Sequence, residues 1–412
     1  MSTPLRRNRD FMLLWSGLAV SVAGSRISQV GYPLLVLGLT RSPAQAGLVG
    51  FLGTIPYLVF QLPAGVIVDR LNRRRLMIAS DVFRGLALGS IVVADLTGGL
   101  MLAQLMAVAF VEGTLFVVFN LGERAAVRFV VPPDQLPAAL AQNEARNRAA
   151  ILAGRPLGGL LFGLGRVVPF LADALSYLAS TVCLLLIRSD FGEERDSARN
   201  AQSAWREVRE GLAWLARHPF MRATALLVAG LNFVSTALML ILIVAAKQHG
   251  ASPAAIGAIL AGAGVGGLAG SLLSPAIQRR VPAKLVVTAT AWVWLALLVP
   301  IAFVGSPYAL GALYAGIAFM SPPWNVVVNA YQLVLVPDRL LGRVVSAGFM
   351  AAYGAQPLGS LASGFLLASA GPKGATLAIA GVTLALALAG SASAAIRAAP
   401  SLEEARLAVA EA

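Results

Sequence analysis

The chain has 412 residues, 58% of them hydrophobic and 12% charged, with a formal net charge of +13. A soluble domain carries about 25% charged residues, so this composition excludes a soluble enzyme, a secreted scaffold and a disordered chain. The single cysteine, Cys183, excludes a disulfide framework, and the two histidines, His218 and His249, leave little for a metal centre, so no metal or cofactor is expected.

Twelve apolar runs in the sequence are long enough to cross a bilayer as helices, which takes roughly 20 residues each. In chain order their approximate limits are residues 11–38, 44–68, 75–95, 100–123, 143–166, 168–188, 220–246, 253–277, 284–304, 308–333, 342–369 and 372–397. The chain is therefore predicted to be an all-α membrane protein with twelve transmembrane helices.

Basic residues outside the twelve runs fall almost entirely on one side of the membrane if both termini are cytoplasmic. The opposite side carries only Arg41, Arg166, Lys247 and Lys373. Because cytoplasmic loops are enriched in Lys and Arg, this bias predicts cytoplasmic N- and C-termini in a bacterial cytoplasmic (inner) membrane. It also accounts for the positive net charge, so membrane lipid is the expected neighbour and no nucleic-acid partner is expected.

The longest polar stretch divides the runs into six and six. The predicted parts are an N-terminal six-helix half at 1–188, a cytoplasmic central loop at 189–219, a C-terminal six-helix half at 220–397 and a cytoplasmic tail at 398–412. Within the loop, one face of a helix carries Trp205, Val208, Leu212 and Leu215. This amphipathic pattern suits a helix that lies on the membrane surface, and a simple tether between the halves is compatible with it.

Short sequence matches between the two halves indicate repeated helices, and regularly spaced small residues indicate close packing of helices. Pro156-Leu157-Gly158 in the fifth run matches Pro357-Leu358-Gly359 in the eleventh, which favours two pseudo-symmetric halves. In the eighth run, small residues recur every four positions, at Ala258, Gly262, Gly266 and Gly270. Such a series lets two helix backbones approach each other closely.

The connection between the second and third runs carries a charged motif. Gly65, Asp69, Arg70, Arg73 and Arg74 follow the spacing G-x-x-x-D-R-x-x-R-R. This pattern resembles the signature of the major facilitator superfamily, and the resemblance covers nearly the whole chain. It implies two repeated six-helix halves, a small-molecule substrate and transport by alternating access. Shorter elements resemble the branch that contains enterobactin and macrolide exporters: Thr40–Pro43, Asp81 with Arg84, Asp173–Tyr177 and Arg217–Pro219.

The resemblance implies a cytoplasmic latch motif. Its expected members are Gly65, Asp69, Arg70, Arg73, Arg74, Asp81 and Arg84. A carboxylate at the end of the second helix can accept hydrogen bonds from the start of the eleventh, near Gly342, and complement its dipole. We expect the motif to hold the cytoplasmic side closed; the alternative is that its arginines are only topology signals.

Three ionisable side chains lie deep inside predicted spans: Arg26 in the first, Glu112 in the fourth and Arg155 in the fifth. At 1.5 Å per residue, all three lie roughly 16–18 Å from the outer ends of their helices, near the bilayer midplane. Charges there are costly and mark functional candidates. We expect Glu112 to pair with Arg26 and to exchange the coupling proton, and the two arginines to favour an anionic or zwitterionic substrate. A purely structural ion pair is the alternative.

The family architecture implies that helices 1, 4, 7 and 10 surround a central cavity. The side chains expected to form the substrate cavity are Arg26, Gln29, Tyr32, Glu112, Phe116, Arg155, Asn232, Trp324, Asn325 and Asn329. Taken singly, each of them is better explained by helix packing than by ligand contact, and only their convergence indicates a mixed aromatic and polar site.

The expected function is secondary transport. The sequence has no P-loop and no H-E-x-x-H or G-x-S-x-G motif, so we expect neither an ATPase nor another enzyme. Gly154–Gly159 resembles the antiporter signature G-P-x-x-G-G, although Arg155 occupies the first proline position. We expect a monomer that exports an amphipathic small molecule, such as a drug, siderophore or secondary metabolite, in exchange for protons. An uptake symporter or facilitator, a lipid scramblase and a non-transporting receptor are the alternatives.

Overall fold

The computed structural model describes residues 4–189, 191, 201–399 and 404, and within them all regular secondary structure is helical. The α-helices are α1 Arg9–Thr40, α2 Pro43–Arg70, α3 Arg73–Leu96, α4 Leu102–Val130, α5 Leu136–Leu164, α6 Val168–Leu186, α7 Ala201–Arg217, α8 Pro219–Gln248, α9 Pro253–Arg280, α10 Ala283–Ile301, α11 Pro307–Phe319, α12 Ser321–Leu335, α13 Asp338–Ala392 and α14 Ala394–Arg397. The prediction of an all-α membrane fold is confirmed.

Polar residues between the apolar runs fix where the first helices begin. The side chain of Asn8 accepts a hydrogen bond from the Phe11 amide at 3.1 Å, and Asn72 accepts one from the Arg75 amide at 3.0 Å. Each side chain satisfies one of the amides that a helix start leaves without an intrahelical partner. The apolar runs therefore become separate helices joined by short connections.

Nine of the described helices are long and apolar enough to cross a membrane, compared with twelve predicted runs. The difference has three physical causes. Helix α5 begins at Leu136, earlier than the predicted 143, and carries charges in its first half. The tenth run is broken into α11 and α12 at Met320, just before Pro322 and Pro323, so each piece is short. Helix α13 contains the eleventh and twelfth runs, joined across a kink at Gly371.

The chain divides into two units by its contacts. The first comprises Met1–Ala204 with Ser252–Ala258, and the second comprises Trp205–Ala251 with Ile259–Ala412. In the described part of the chain, every charged side chain that is buried belongs to the first unit. These residues are Arg73, Asp81, Arg84, Glu123, Arg146 and Asp173. Among the described residues of the second unit, the buried polar ones are serines and threonines.

Helix α7 packs within the second unit. Val208 and Leu215 are buried, and Gly211 lies against the backbone of Arg343 near the start of α13. Arg343 Nη1 also donates to Glu210 Oε2 at 2.5 Å. The apolar face was predicted to lie on the membrane surface, whereas the structure covers much of it with protein.

The glycine series of α9 packs against α11. A Cβ atom at Gly262, Gly266 or Gly270 would overlap the backbone carbonyl of Gly311, Ala315 or Phe319, respectively. The three carbonyls also recur every four residues, so the backbones are in contact along more than two turns. The close approach predicted from the spacing is present.

Candidate functional site

Four helices of the first unit, α1, α3, α4 and α6, bring polar side chains together near the middle of their lengths. We call this group the polar cluster; it comprises Ser25, Ser28, Tyr32, Asp81, Arg84, Glu112, Asp173, Ser176 and Tyr177. Close packing of α1 and α3 against α6, and of α3 against α4, positions these residues.

Arg84 of α3 provides the positive charge of the polar cluster and is only 2% exposed. Its Nη2 atom lies 3.6 Å from Glu112 Oε1, and its Nη1 atom lies 3.8 Å from Asp81 Oδ1. Nη2 also donates a hydrogen bond to Tyr177 Oη. The guanidinium carbon lies 4.1 Å from the centre of the Tyr177 ring and 5.4 Å from that of Phe116. Arginine suits this environment because its planar group both stacks on rings and donates in several directions.

Glu112 of α4 has a hydroxyl donor at each carboxylate oxygen. Tyr32 Oη donates to Oε2 at 2.9 Å, and Tyr177 Oη donates to Oε1 at 2.9 Å. Neither oxygen is therefore left without a hydrogen-bond partner in this largely buried position. Two of the predicted cavity residues, Glu112 and Tyr32, are brought into direct contact.

Asp173 of α6 is fully buried beside them. Ser28 Oγ donates to its Oδ2 atom at 2.5 Å, and Ser176 Oγ donates to Oδ1 at 3.2 Å. Tyr177 Oη lies 3.4 Å from Oδ2. The space for this carboxylate exists because α1 has a glycine opposite: a Cβ atom on Gly24 would lie 2.6 Å from Asp173 Oδ1.

The cation beside Glu112 in the described structure is Arg84, whereas the sequence favoured Arg26. Arg26 Nη1 instead donates to Gln29 Oε1 on its own helix at 3.1 Å. Arg84 lies about 16 Å from the start of α3 at 1.5 Å per residue, level with Glu112, and α3 packs closely against α4. Arg155 lies on α5, and the neighbouring Gly154 allows α5 to approach the Arg26 backbone closely.

The predicted substrate-cavity residues that belong to the second unit lie in two places. Trp324, Asn325 and Asn329 of α12 line a cavity of about 130 Å³, together with side chains from α8 and α13. Asn232 lies outside the lining, where its Nδ2 atom donates to the carbonyl of Ala352 at 3.1 Å. This cavity combines two aromatic side chains, Trp324 and Phe349, with amide groups, the kind of mixed aromatic and polar lining that small-molecule sites have.

Two arginines of the latch motif, Arg73 and Arg74, donate to carbonyl groups of the first unit, and the Arg73 guanidinium carbon also lies 5.1 Å from the centre of the Phe129 ring. Arg73 Nη1 donates to the Phe191 carbonyl at 3.2 Å, and Arg74 donates to the carbonyls of Leu184 and Leu185 at 2.9 and 2.7 Å. The last two belong to the end of α6, where a cation satisfies carbonyls that have no helical partner.

The other members of the latch motif lie near the end of α2 or in the polar cluster. Gly65 lies within α2 and Arg70 ends that helix, whereas the Asp69 side chain lies outside the described residues. Asp81 and Arg84 lie in the polar cluster described above, together with Glu112.

Sequence reasoning did not assign Ser28, Asp173, Ser176 or Tyr177 to this site, and it placed Asp81 and Arg84 in the latch motif. The sequence did contain one indication: Asp173 and Tyr177 are four residues apart on α6, so they lie on one helix face. Their contact with Glu112, however, depends on the packing of α6 against α1 and α3.

Comparisons with known proteins agree with this architecture. The model of the family described as "Transmembrane secretion effector" matches residues 2–410. The chain is 27% identical over 389 residues to the multidrug efflux pump Tap of Mycolicibacterium fortuitum, covering 92% of this chain and 93% of Tap. It is 25% identical over 211 residues to macrolide efflux protein A of Streptococcus pyogenes, covering 50% and 51% of the two chains.

The fold is also that of solved transporters. The crystal structure of a bacterial homologue of the human lysosomal transporter Spinster superposes with a TM-score of 0.71 at 14% identity, covering 98% of both chains. Because the family model spans nearly the whole sequence, the chain belongs to the transmembrane secretion effectors of the major facilitator superfamily and is a multi-pass membrane transporter.

Proposed function

We propose that this chain exports an amphipathic small molecule from a bacterial cell in exchange for protons. The observation that carries the proposal is the position of Glu112, which lies near mid-span between the guanidinium of Arg84 and the hydroxyls of Tyr32 and Tyr177. Ionisable groups inside membrane spans mark proton and ion pathways. The similarity to multidrug efflux pump Tap and to macrolide efflux protein A supports export.

In the proposed cycle, Glu112 alternates between two states. In the first, the carboxylate is ionised and paired with Arg84. In the second, a proton that enters from outside neutralises Glu112, and Asp81 at 3.8 Å is the carboxylate that remains next to Arg84. Weakening the pairing of a buried arginine is costly, so protonation favours a different arrangement of the helices. That rearrangement would release the substrate outside and return the protein to the loading state.

The test uses the purified full-length chain in proteoliposomes with radiolabelled erythromycin as a cationic probe and norfloxacin as a zwitterionic probe. In Glu112→Gln we expect an imposed pH gradient to lose its effect on accumulation, while exchange of probe against probe continues. The matched control is Glu144→Gln, which removes an exposed carboxylate on α5 that pairs with Arg148. If Glu112→Gln responds to the gradient as the parent does, Glu112 is not the coupling site.

The direction of transport is tested in the same vesicles. Accumulation of the probe inside vesicles while protons flow out supports exchange. Accumulation of the probe while protons flow in would instead support uptake by symport. A lipid-flipping measurement in the same liposomes addresses the scramblase alternative. Cytoplasmic termini, a location in the inner membrane and a monomeric state complete the proposal.

Substrate recognition by Arg26 and Arg155 is the second part of the proposal. A guanidinium can bind a carboxylate through two parallel hydrogen bonds, which a lysine cannot reproduce. We expect Arg155→Lys to weaken binding of norfloxacin, which bears a carboxylate, more than binding of erythromycin, which does not. Equal binding of norfloxacin by the parent and by Lys variants at both positions would reject direct recognition.

A further inference from the structure

Tyr177 lies between two carboxylates of the polar cluster. Its Oη atom is 2.9 Å from Glu112 Oε1 and 3.4 Å from Asp173 Oδ2. We propose that Asp173 and Tyr177 form a proton relay that delivers the coupling proton to Glu112. This inference rests on the proposed function, because it assigns the route by which Glu112 is protonated.

The hydrogen-bonding capacity of the Tyr177 hydroxyl fits a relay. A tyrosine hydroxyl has one proton to donate and two lone pairs that accept. Arg84 donates to Tyr177 Oη, which occupies one lone pair. A protonated Asp173 can occupy the second, and the hydroxyl proton is then directed to Glu112. Ser25 Oγ lies 2.9 Å from Oη and 3.0 Å from the Ser21 carbonyl, to which it can donate.

The transfer step conserves protons and charge. The O–H bond of protonated Asp173 breaks as a new O–H bond forms at Tyr177 Oη, while the original Tyr177 O–H bond breaks as one forms at Glu112 Oε1. One proton has moved from Asp173 to Glu112, Tyr177 is neutral before and after, and no redox partner is needed.

The three groups lie at successive depths in the membrane. At 1.5 Å per residue, Asp173 is about 7.5 Å and Tyr177 about 13.5 Å from the start of α6, and Glu112 is about 15 Å from the start of α4. In the predicted topology both helices begin at the outer face. The relay therefore leads inward from the carboxylate nearest the outside.

The residues around Asp173 hold its carboxylate next to the Tyr177 hydroxyl. Ser28 and Ser176 each donate to it, and Gly24 leaves the space that it occupies. The charges that act on Asp173 come from Glu112 on α4 and Arg84 on α3. Facing it from α1 is the titratable hydroxyl of Tyr32. The polar cluster holds one guanidinium and three carboxylates, because Asp81 lies 3.8 Å from Arg84, so a single mobile proton shared by Asp173 and Glu112 lowers the excess of negative charge.

The experiment follows protonation itself, so it needs no substrate. Full-length protein in liposomes is acidified rapidly, and time-resolved infrared difference spectra record the carboxylic C=O stretch of Glu112. The Glu112 band is identified as the one that Glu112→Gln lacks. We expect Tyr177→Phe and Asp173→Asn each to slow its appearance by about 100-fold, the lower end of the effect of a positioned proton-transfer group.

Two variants serve as matched controls and should keep the parental rate. Tyr331→Phe removes the hydroxyl of a buried tyrosine on α12, and Asp95→Asn removes a carboxylate that pairs with Arg166 at 2.7 Å near the end of α3. If Tyr177→Phe fails to fold, Asp173→Asn and Ser28→Ala answer the question, because each leaves the tyrosine in place.

The outcomes separate the relay from the proposed function. A Glu112 band that appears at the parental rate in both Tyr177→Phe and Asp173→Asn overturns the relay and leaves Glu112 as the coupling site. Slowing in Tyr177→Phe alone overturns the role of Asp173. A parent that shows no Glu112 band on acidification overturns the coupling role and the relay together.

Discussion

Arg146 on α5 and Glu123 on α4 form an ion pair across 2.6 Å, with side chains only 2% and 11% exposed. Removing one member of such a pair leaves a buried charge without its partner, so Glu123→Gln should lower the free energy of unfolding by about 3–5 kcal/mol. Chemical unfolding of purified protein measures this.

The control for that prediction is the exposed pair on the same helix. Arg148 and Glu144 are 2.8 Å apart with side chains 36% and 61% exposed, so Glu144→Gln should cost about 1 kcal/mol or less. Similar losses in Glu123→Gln and Glu144→Gln would contradict the assignment of a strong buried pair.

The contact between α9 and α11 predicts a steep steric effect at Gly266. An alanine there would place its Cβ atom against the Ala315 carbonyl, and the helices would have to separate. Overpacking of this kind typically costs about 1–3 kcal/mol. Gly381→Ala on α13 is the matched control, because a Cβ atom there meets no atom within 4 Å. Thermal unfolding should therefore distinguish the two variants; equal midpoints would refute the close contact.

The ion pair between Glu210 and Arg343 predicts how firmly α7 is held. In Arg343→Glu two carboxylates face each other, and amide hydrogen exchange in α7 should rise by up to about 5-fold, equivalent to about 1 kcal/mol for a pair this exposed. The exchanged pair, Glu210→Arg with Arg343→Glu, should restore slow exchange. If the double variant exchanges as fast as the single one, the pair does not hold the helix.

His218, at the junction of α7 and α8, predicts a pH effect outside the membrane. Burial lowers the pKa of His218 below its ordinary value of 6.5. Its Nδ1 atom accepts from the Met221 amide at 3.4 Å, which only the neutral ring can do. The stabilisation is therefore present above pH 6.5 and is lost as the pH falls through the lowered pKa.

That prediction is checked by following the two histidine rings with NMR during an acid titration. His218→Asn keeps an acceptor at the helix start and removes the pH-dependent step. A His218 ring that titrates above pH 6.5 would contradict the argument.

The spans could be predicted from the sequence because hydropathy is a local property. The same is true of the glycine series in α9, whose four-residue spacing is the spacing of one helix face. The position of α7 could not be predicted in this way. Its amphipathic pattern requires an apolar surface but does not identify lipid or protein as that surface, and here Gly211 and Leu215 meet protein.

The site was only partly predictable for a related reason. Depth along a helix identified Glu112, and the same count would have placed Arg84 beside it. The sequence pattern of the latch motif instead assigned Arg84 to the cytoplasmic end. Tyr177 and Asp173 joined the site through contacts with residues far away in the sequence, and no local pattern encodes those contacts.

The confinement of buried charge to the first unit has an optical consequence. Trp15 is the single tryptophan before residue 205, and the other five of the six tryptophans follow it in the second unit: Trp205, Trp214, Trp292, Trp294 and Trp324. Intrinsic fluorescence therefore reports mainly on the part of the molecule in which the described buried polar groups are uncharged hydroxyls. An acid titration recorded in this way would follow His218, whose ring stacks on Trp214 at 5.1 Å, and not the separation of Glu112 from Arg84; an indole introduced on α4 or α6 would make that separation visible.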